Sequence, residues 1–202
     1  MKLSFNRVKN LSYVTIENFF SAQELQEVLK EVAALKPFSV GEHETLSARE
    51  NNKTLKTGGG IFLDKHYANN RSASPILQVN RKIFNREVLQ HVENFEVIFK
   101  EIIESTVDNT LVNYYSSGQE YKPHVDSARI TVITFLKLGE FSGGDFLFPE
   151  QQHVVKAMHN MAIIFPSIAL HAALPIQGEG TRVSIAQFIT REEETREIPH
   201  TV

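Results

Sequence analysis

The sequence predicts an α+β, mainly β protein: a barrel or double-sheet jelly roll, with N-terminal helices packed on one face of its sheets. Three observations predict it. The first half shows helical apolar spacing behind recognisable N-terminal caps. From about residue 110 the apolar residues fall instead into short runs rich in β-branched and aromatic side chains. Turn residues punctuate those runs, among them Gly118, Pro123, Gly139, Gly143, Gly144, Pro149, Pro166 and Pro175. Many short strands separated by turns read as a closed or double-sheet β architecture. Helices first and strands after put the helices on one side of it.

In chain order, Tyr13–Ile16 reads as a short strand. Ser21-Ala22-Gln23-Glu24 matches a capping box, in which the serine hydroxyl and the glutamate three residues on satisfy each other's backbone amides. Leu25, Val28, Leu29 and Val32 follow at helical spacing, and Pro37 closes a helix that runs to about Leu35. The stretch from Ser39 to Thr57 is polar and ends in Gly58-Gly59-Gly60. It reads as a mobile loop with a glycine hinge, ahead of a short strand at Ile61–Leu63. Ser74-Pro75 opens a second helix whose apolar face is Ile76, Val79, Ile83 and Phe84. Phe95–Ile103 reads as a third. Strands are then expected at Leu111–Tyr115, Ile130–Leu138, Asp145–Phe148, Val154–Val155, Met161–Phe165 and Val183–Thr190, and Arg191–Glu194 as a solvated run.

The chain has 202 residues, enough for a substantial core. The expectation is a single domain spanning 1–202, with a helical part over about 1–109 and a β core over about 110–191. Apolar residues make up 42% and charged residues 22%, and the net charge is −3 with both signs mixed along the chain. Nothing resembles the basic stripe of a nucleic-acid binder. The absence of cysteine excludes disulfides, thiolate metal sites and cysteine nucleophiles. The first residues lack the pattern of a signal peptide, and no apolar run reaches the ~20 residues of a membrane span. A cytoplasmic protein without membrane association is the expectation.

His124-Val125-Asp126 places an imidazole and a carboxylate two residues apart, hence on one side of an extended segment. Alone this is weak, since such triplets occur in surface turns. His171, behind the apolar run Met161–Phe165, supplies a second histidine. Two histidines and one carboxylate form the facial triad of non-haem iron(II) oxygenases, which leaves adjacent coordination positions open. Arg182 heads the apolar strand that follows. A guanidinium there needs a partner, and its fork suits a carboxylate such as the distal one of 2-oxoglutarate. Ser184, two residues on, shares its face.

The run Asn113-Tyr114-Tyr115-Ser116-Ser117-Gly118-Gln119-Glu120-Tyr121-Lys122-Pro123-His124-Val125-Asp126 resembles the prolyl 4-hydroxylase-like branch of the iron(II)/2-oxoglutarate dioxygenases. So do Ser142–Pro149, His171–Pro175, Gly180-Thr181-Arg182 and the opening Ile16–Ser21. The resemblance covers roughly residues 13 to 191, with the pieces in the family's order. It implies a double-stranded β-helix with N-terminal helices, and iron(II) held by His124, Asp126 and His171. It further implies 2-oxoglutarate held by Arg182 with Tyr114, Tyr121 and Ser184 around it, oxygen as co-reactant and ascorbate as a stimulant. The implied reaction is hydroxylation of a substrate, a prolyl residue in a peptide or protein, with release of succinate and carbon dioxide. Two departures blur the substrate: Arg182 stands where collagen-type members carry lysine, and Phe135 where some members place a tyrosine. A hydroxylase of a free amino acid or small molecule is the nearest alternative. Zinc-dependent hydrolysis, or 2-oxoglutarate binding without turnover, are alternatives of a different class.

Overall fold

The computed structural model of the chain describes residues 1–92, 94–105 and 107–191. The elements are β1 (Lys2–Val8), β2 (Leu11–Glu17), α1 (Ala22–Leu35), a small hairpin of β3 (Arg49–Glu50) and β4 (Lys53–Thr54), β5 (Gly59–Phe62), α2 (Leu63–His66), α3 (Pro75–Asn80), α4 (Arg86–Val92) and α5 (Lys100–Glu104). The β-rich half follows with β6 (Val107–Tyr115), β7 (Tyr121–His124), β8 (Ile130–Leu138), β9 (Phe141–Gly143), β10 (Phe146–Phe148), β11 (His153–Val155), β12 (Met161–Pro166), β13 (His171–Ala173), β14 (Ile176–Gly178) and β15 (Thr181–Thr190). A seven-stranded antiparallel sheet in the order β1-β2-β12-β8-β15-β6-β5 faces a four-stranded sheet in the order β11-β10-β13-β7. This is the expected double-stranded β-helix. Among the described residues no helix is long and apolar enough to cross a membrane.

Alternation along the central strands builds two cores. Val183, Ile185 and Ile189 of β15, Val112 and Tyr114 of β6, and Val132 and Leu136 of β8 point to the helical side. There they pack with Val28, Val32 and Leu35 of α1, and with Ile76 and Leu77 of α3. Ile133 and Phe135 of β8, Ile163 and Phe165 of β12, and Ala186 of β15 point the other way, against Phe146 and Phe148 of the small sheet. Strands buried on both faces read as continuous apolar runs, which is why β8, β12 and β15 stood out in the sequence.

The capping box of α1 forms: Glu24 N donates to Ser21 Oγ, and Ser21 N donates to Glu24 Oε2. Ser74 caps α3, its hydroxyl accepting from Leu77 N, with Pro75 at the first turn. The amphipathic stretch at 95–103 is not one helix. It divides into a 3₁₀ turn at Val97–Phe99 and the short α5. The expected solvated run 191–194 lies outside the described residues except for Arg191, which pairs with Glu101 and Glu104.

The three glycines after the polar segment are not a free hinge. Gly59 and Gly60 belong to β5 and pair with Tyr114 and Asn113 of β6, and Gly60 also exchanges hydrogen bonds with Val40. They are glycines because other backbone approaches closely. A Cβ on Gly60 would lie 3.0 Å from Val112 O, and one on Gly58, whose φ is +113°, would lie 2.7 Å from Tyr114 O. The segment before them is tied down as well: Leu55 N bonds Ala48 O, Lys122 N bonds Leu55 O, and Thr57 N bonds Glu120 O. Gly58→Ala should therefore lower the unfolding free energy by ~2 kcal/mol. Gly41→Ala, with no atom within 4 Å of the new Cβ, should change it by less than ~0.5 kcal/mol. Urea denaturation of the two variants measures the difference.

Candidate metal and cosubstrate site

The last residue of β7 and the first of β13 are cross-strand partners, and both are histidines: His124 pairs with His171. The ring centroids lie 4.2 Å apart. Asp126 follows β7 and is fixed by its own backbone, whose N–H donates to Ser167 O. Thr131 Oγ1 donates to Asp126 Oδ2 at 2.8 Å and lies 2.8 Å from Ser167 Oγ. Asp126 Oδ1 is 3.7 Å from His124 Nε2, and Asp126 Oδ2 is 3.4 Å from His171 Nε2. One donor atom from each of the three residues falls within 4.8 Å of the others. Metal bonds of about 2.0–2.2 Å place neighbouring donors roughly 3 Å apart, so a bound ion would draw the three residues closer together.

Both imidazoles are oriented for a metal. His124 Nδ1 lies 2.8 Å from Lys122 O, and His171 Nδ1 lies 2.8 Å from Ala169 O. With those nitrogens protonated and donating, each Nε2 keeps a free lone pair, the tautomer a metal requires. Burial, reinforced by His171 nearby, pushes the His124 pKa down to about 3, so its ring is neutral. Burial raises the Asp126 pKa, against the opposing pull of His171 and Thr131. A divalent cation would answer that unneutralised buried carboxylate. Tyr121 lies flat against His124, centroids 3.4 Å apart, and its hydroxyl accepts from Ala48 N at 2.8 Å. Burial takes the Tyr121 pKa to about 12.

The donors face a cavity of about 720 Å³ enclosed between the two sheets. On its far wall stands Arg182, 3% exposed. One guanidinium nitrogen donates to Gly144 O at 2.9 Å and the other to Ser184 Oγ at 3.2 Å, while the plane sits over Tyr115, 4.4 Å from the ring centroid. Its Nε is buried with no hydrogen-bond partner, and among the described residues no carboxylate lies within ion-pair distance. A buried donor left over on an unpaired cation is the signature of a missing anion. A ligand carboxylate fits that place.

Tyr121, Ser184 and Arg182 thus line the same cavity as the three metal-type donors. Tyr114 does not. It pairs with Val183, points to the helical side, and donates its hydroxyl to Val32 O at 2.8 Å. The pocket tyrosine is its neighbour Tyr115, which pairs with Arg182. Strand alternation decides between the two, and the apolar character of both faces hides the phase. Phe135 lines the cavity as a bare ring beside Phe146. Sequence reasoning also missed Lys56 and Asn113. Lys56 Nζ donates to Thr45 Oγ1 at 2.7 Å and to Asn113 Oδ1 at 2.9 Å. Burial brings the Lys56 pKa down to about 8, against the raising effect of Glu42. In sequence it is one lysine among several in a polar stretch, with no signal that it is buried. The second glycine of Gly143-Gly144 lets the Arg182 stem pass: a Cβ there would meet it at 3.2 Å.

Two sheets enclose a two-histidine, one-carboxylate donor set of the kind that non-haem iron oxygenases use. Residues 110–190 match the family model described as the 2OG-Fe(II) oxygenase superfamily. Solved structures of the same fold include prolyl hydroxylases. A prolyl-4-hydroxylase from Pseudomonas putida is similar at a TM-score of 0.64 and 15% identity, over 90% of this chain and 94% of that one. A viral collagen prolyl hydroxylase from Paramecium Bursaria Chlorella virus-1, in complex with 2-oxoglutarate, gives 0.57 and 17%, over 88% and 94%. A Trichoplax adhaerens prolyl hydroxylase in complex with a hypoxia inducible factor peptide fragment gives 0.65 and 16%, over 91% and 86%. At these identities the likeness is one of fold. No curated protein matches the chain in sequence.

Tyr114→Phe should cost ~1 kcal/mol of stability, because it removes the hydrogen bond to the Val32 carbonyl, and should leave 2-oxoglutarate affinity unchanged. Denaturation and calorimetric titration measure the two effects. Lys56 gives a pH signature. Between pH about 8 and 10.5 the unfolded chain holds a proton that folded Lys56 has lost, so stability rises across that window. The full rise is on the order of 3 kcal/mol. Relative to Lys56→Met, the unfolding free energy of the parent should climb from pH 7.5 to pH 9.5, as pH-dependent urea denaturation would show.

Proposed function

We propose that the chain is a single-domain hydroxylase that uses iron(II), 2-oxoglutarate and oxygen to hydroxylate a prolyl residue of a peptide or protein, releasing succinate and carbon dioxide. One observation carries the reading: three metal-type donors and a buried arginine lacking an anion stand on opposite walls of one cavity. A hydrolytic zinc site has no use for the arginine. In support of a single domain, β1, β2 and β5 hydrogen-bond into the same sheet as β6, β8, β12 and β15.

In this reading His124, Asp126 and His171 hold the metal through Nε2, a carboxylate oxygen and Nε2. Bound there, iron supplies the oxygen chemistry that puts one oxygen atom into the substrate and the other into succinate. The rest is done by the chain's own groups. Lys122 O and Ala169 O fix the tautomers of the two histidines, and Thr131 orients Asp126. Arg182 anchors the distal carboxylate of 2-oxoglutarate, with Ser184 beside it and Tyr115 and Tyr121 as walls. Ile133, Phe135, Phe146 and Ala186 keep water from the reacting centre. No side chain needs to act as an acid or base. A peptide suits the mouth, where Leu46 and Val125 present exposed apolar surface (76% and 50%). The Trichoplax relative binds a peptide.

The test is mass spectrometry of proline-containing peptides incubated with protein, iron(II), 2-oxoglutarate and ascorbate, with succinate followed in parallel. A peptide gaining the mass of one oxygen, matched by succinate, is expected. Oxygen added to a free amino acid and never to a peptide would move the substrate to small molecules. Binding of 2-oxoglutarate without any succinate would make the protein a sensor. His124→Ala, Asp126→Ala and His171→Ala should each abolish succinate release. Arg182→Ala should keep iron and weaken 2-oxoglutarate binding by ~30- to 4,000-fold, the usual effect of truncating one side of a buried charge pair. Near-normal turnover in any of the three ligand variants would break the metal assignment.

A further inference from the structure

Lys56 is fully buried, yet its ammonium meets only two neutral oxygens, Thr45 Oγ1 and Asn113 Oδ1. Among the described residues no carboxylate lies within ion-pair distance of it. A charge kept in the interior without a counter-ion needs a reason, because a neutral residue of similar length would avoid the desolvation cost. The reason is visible in what it holds. Asn113 sits in β6 directly opposite Ser184, one inward position from the Tyr115–Arg182 pair, and lines the cavity with them. An ammonium can only donate. The Asn113 atom bonded to Lys56 is therefore the amide oxygen, and the NH2 end is turned away from it. No described residue accepts from that Nδ2.

We propose that Lys56 is a positioning residue for the cosubstrate. It locks the Asn113 amide with Nδ2 facing the cavity, where it donates a hydrogen bond to an oxygen of 2-oxoglutarate anchored at Arg182. This rests on the function proposed above and extends it to the segment that carries Lys56. Asn113 is the diagonal neighbour of Arg182 across the strand pair, and such neighbours lie about 7–8 Å apart, a span that a five-carbon dicarboxylate with one end on Arg182 can reach. Released from Lys56, the amide is free to flip and turn its oxygen toward a carboxylate, which repels it. Thr45 and Lys56 bracket the hairpin β3–β4, so cosubstrate binding and the ordering of this segment become linked. Lys56 acts through Asn113 and touches no reacting atom.

A double-mutant cycle on 2-oxoglutarate affinity tests the idea, titrated calorimetrically with iron(II) and without oxygen. Lys56→Met should weaken binding about tenfold, the scale of a hydrogen bond to a charged group. Asn113→Ala should do the same, and the double variant should be within about twofold of Asn113→Ala alone. Iron affinity should not move. Asn113→Asp is the decisive arm should Lys56→Met fail to fold. It keeps the shape and strengthens the bond to Lys56, so the thermal midpoint should hold or rise. It also presents an oxygen where the ligand needs a donor, so affinity should fall more than about a hundredfold. The proposal is overturned if Lys56→Met binds within twofold of the parent, if its loss persists undiminished in the Asn113→Ala background, or if Asn113→Asp binds normally. Should the parent itself bind no 2-oxoglutarate, the proposed function falls and this inference with it. Equal binding by parent and variants removes only the inference.

Discussion

The structure depends on one strand that is buried on both faces. β15 lies between β8 and β6 in the large sheet. Its odd-numbered residues Val183, Ile185 and Ile189 bind the helices, and its even-numbered residues Arg182, Ser184 and Ala186 face the cavity. Burying a guanidinium without its carboxylate costs several kcal/mol. The strand tolerates it because the opposite face of the same backbone is locked into the larger core. Register does the rest. A slip of one residue would send Arg182 into the helices and Val183 into the cavity, so the apolar packing outside dictates the chemistry inside.

The small sheet carries the complementary half of the site under a different constraint. It has four short strands, of three or four residues each. Its hold on His124 and His171 comes from one cross-strand pairing, two backbone carbonyls and a stack of aromatic rings: Tyr121 on His124, Phe146 and Phe165 on His171. Two imidazoles presenting Nε2 beside a buried carboxylate of raised pKa form an arrangement that a divalent cation completes. The site is preorganised at a cost to the empty protein, as with Lys56 and Arg182 on the opposite side.

Much of this was legible in the sequence, and the reasons are local. The α1 capping box, the Ser74-Pro75 helix start and the apolar runs of β8, β12 and β15 are encoded in neighbouring residues, and each formed. His124, Asp126, His171, Arg182 and Ser184 were singled out by the chemistry of their motifs and Tyr121 by the family resemblance, and the fold brings all six to one cavity. What stayed hidden depends on distant partners. Choosing Tyr115 over Tyr114 needs the phase of a strand that is apolar on both sides. Gly58 and Gly60 read as a hinge because the backbone that crowds them belongs to β6, far along the chain. β1 is too polar to announce a strand and forms by pairing all its residues with β2. Lys56 looks like its exposed neighbours until Thr45 and Asn113 are seen around it.

β1 itself has a consequence for handling the protein. It is the outermost strand at one end of the large sheet, and its solvent edge carries Lys2, Asn6 and Arg7, polar and charged groups that discourage another strand from adding on. Beneath it β2 is apolar on both faces, with Leu11, Tyr13, Val14 and Ile16 buried. Trimming or displacing the first eight residues would uncover a sticky strand with unpaired amides, a template for self-association between molecules.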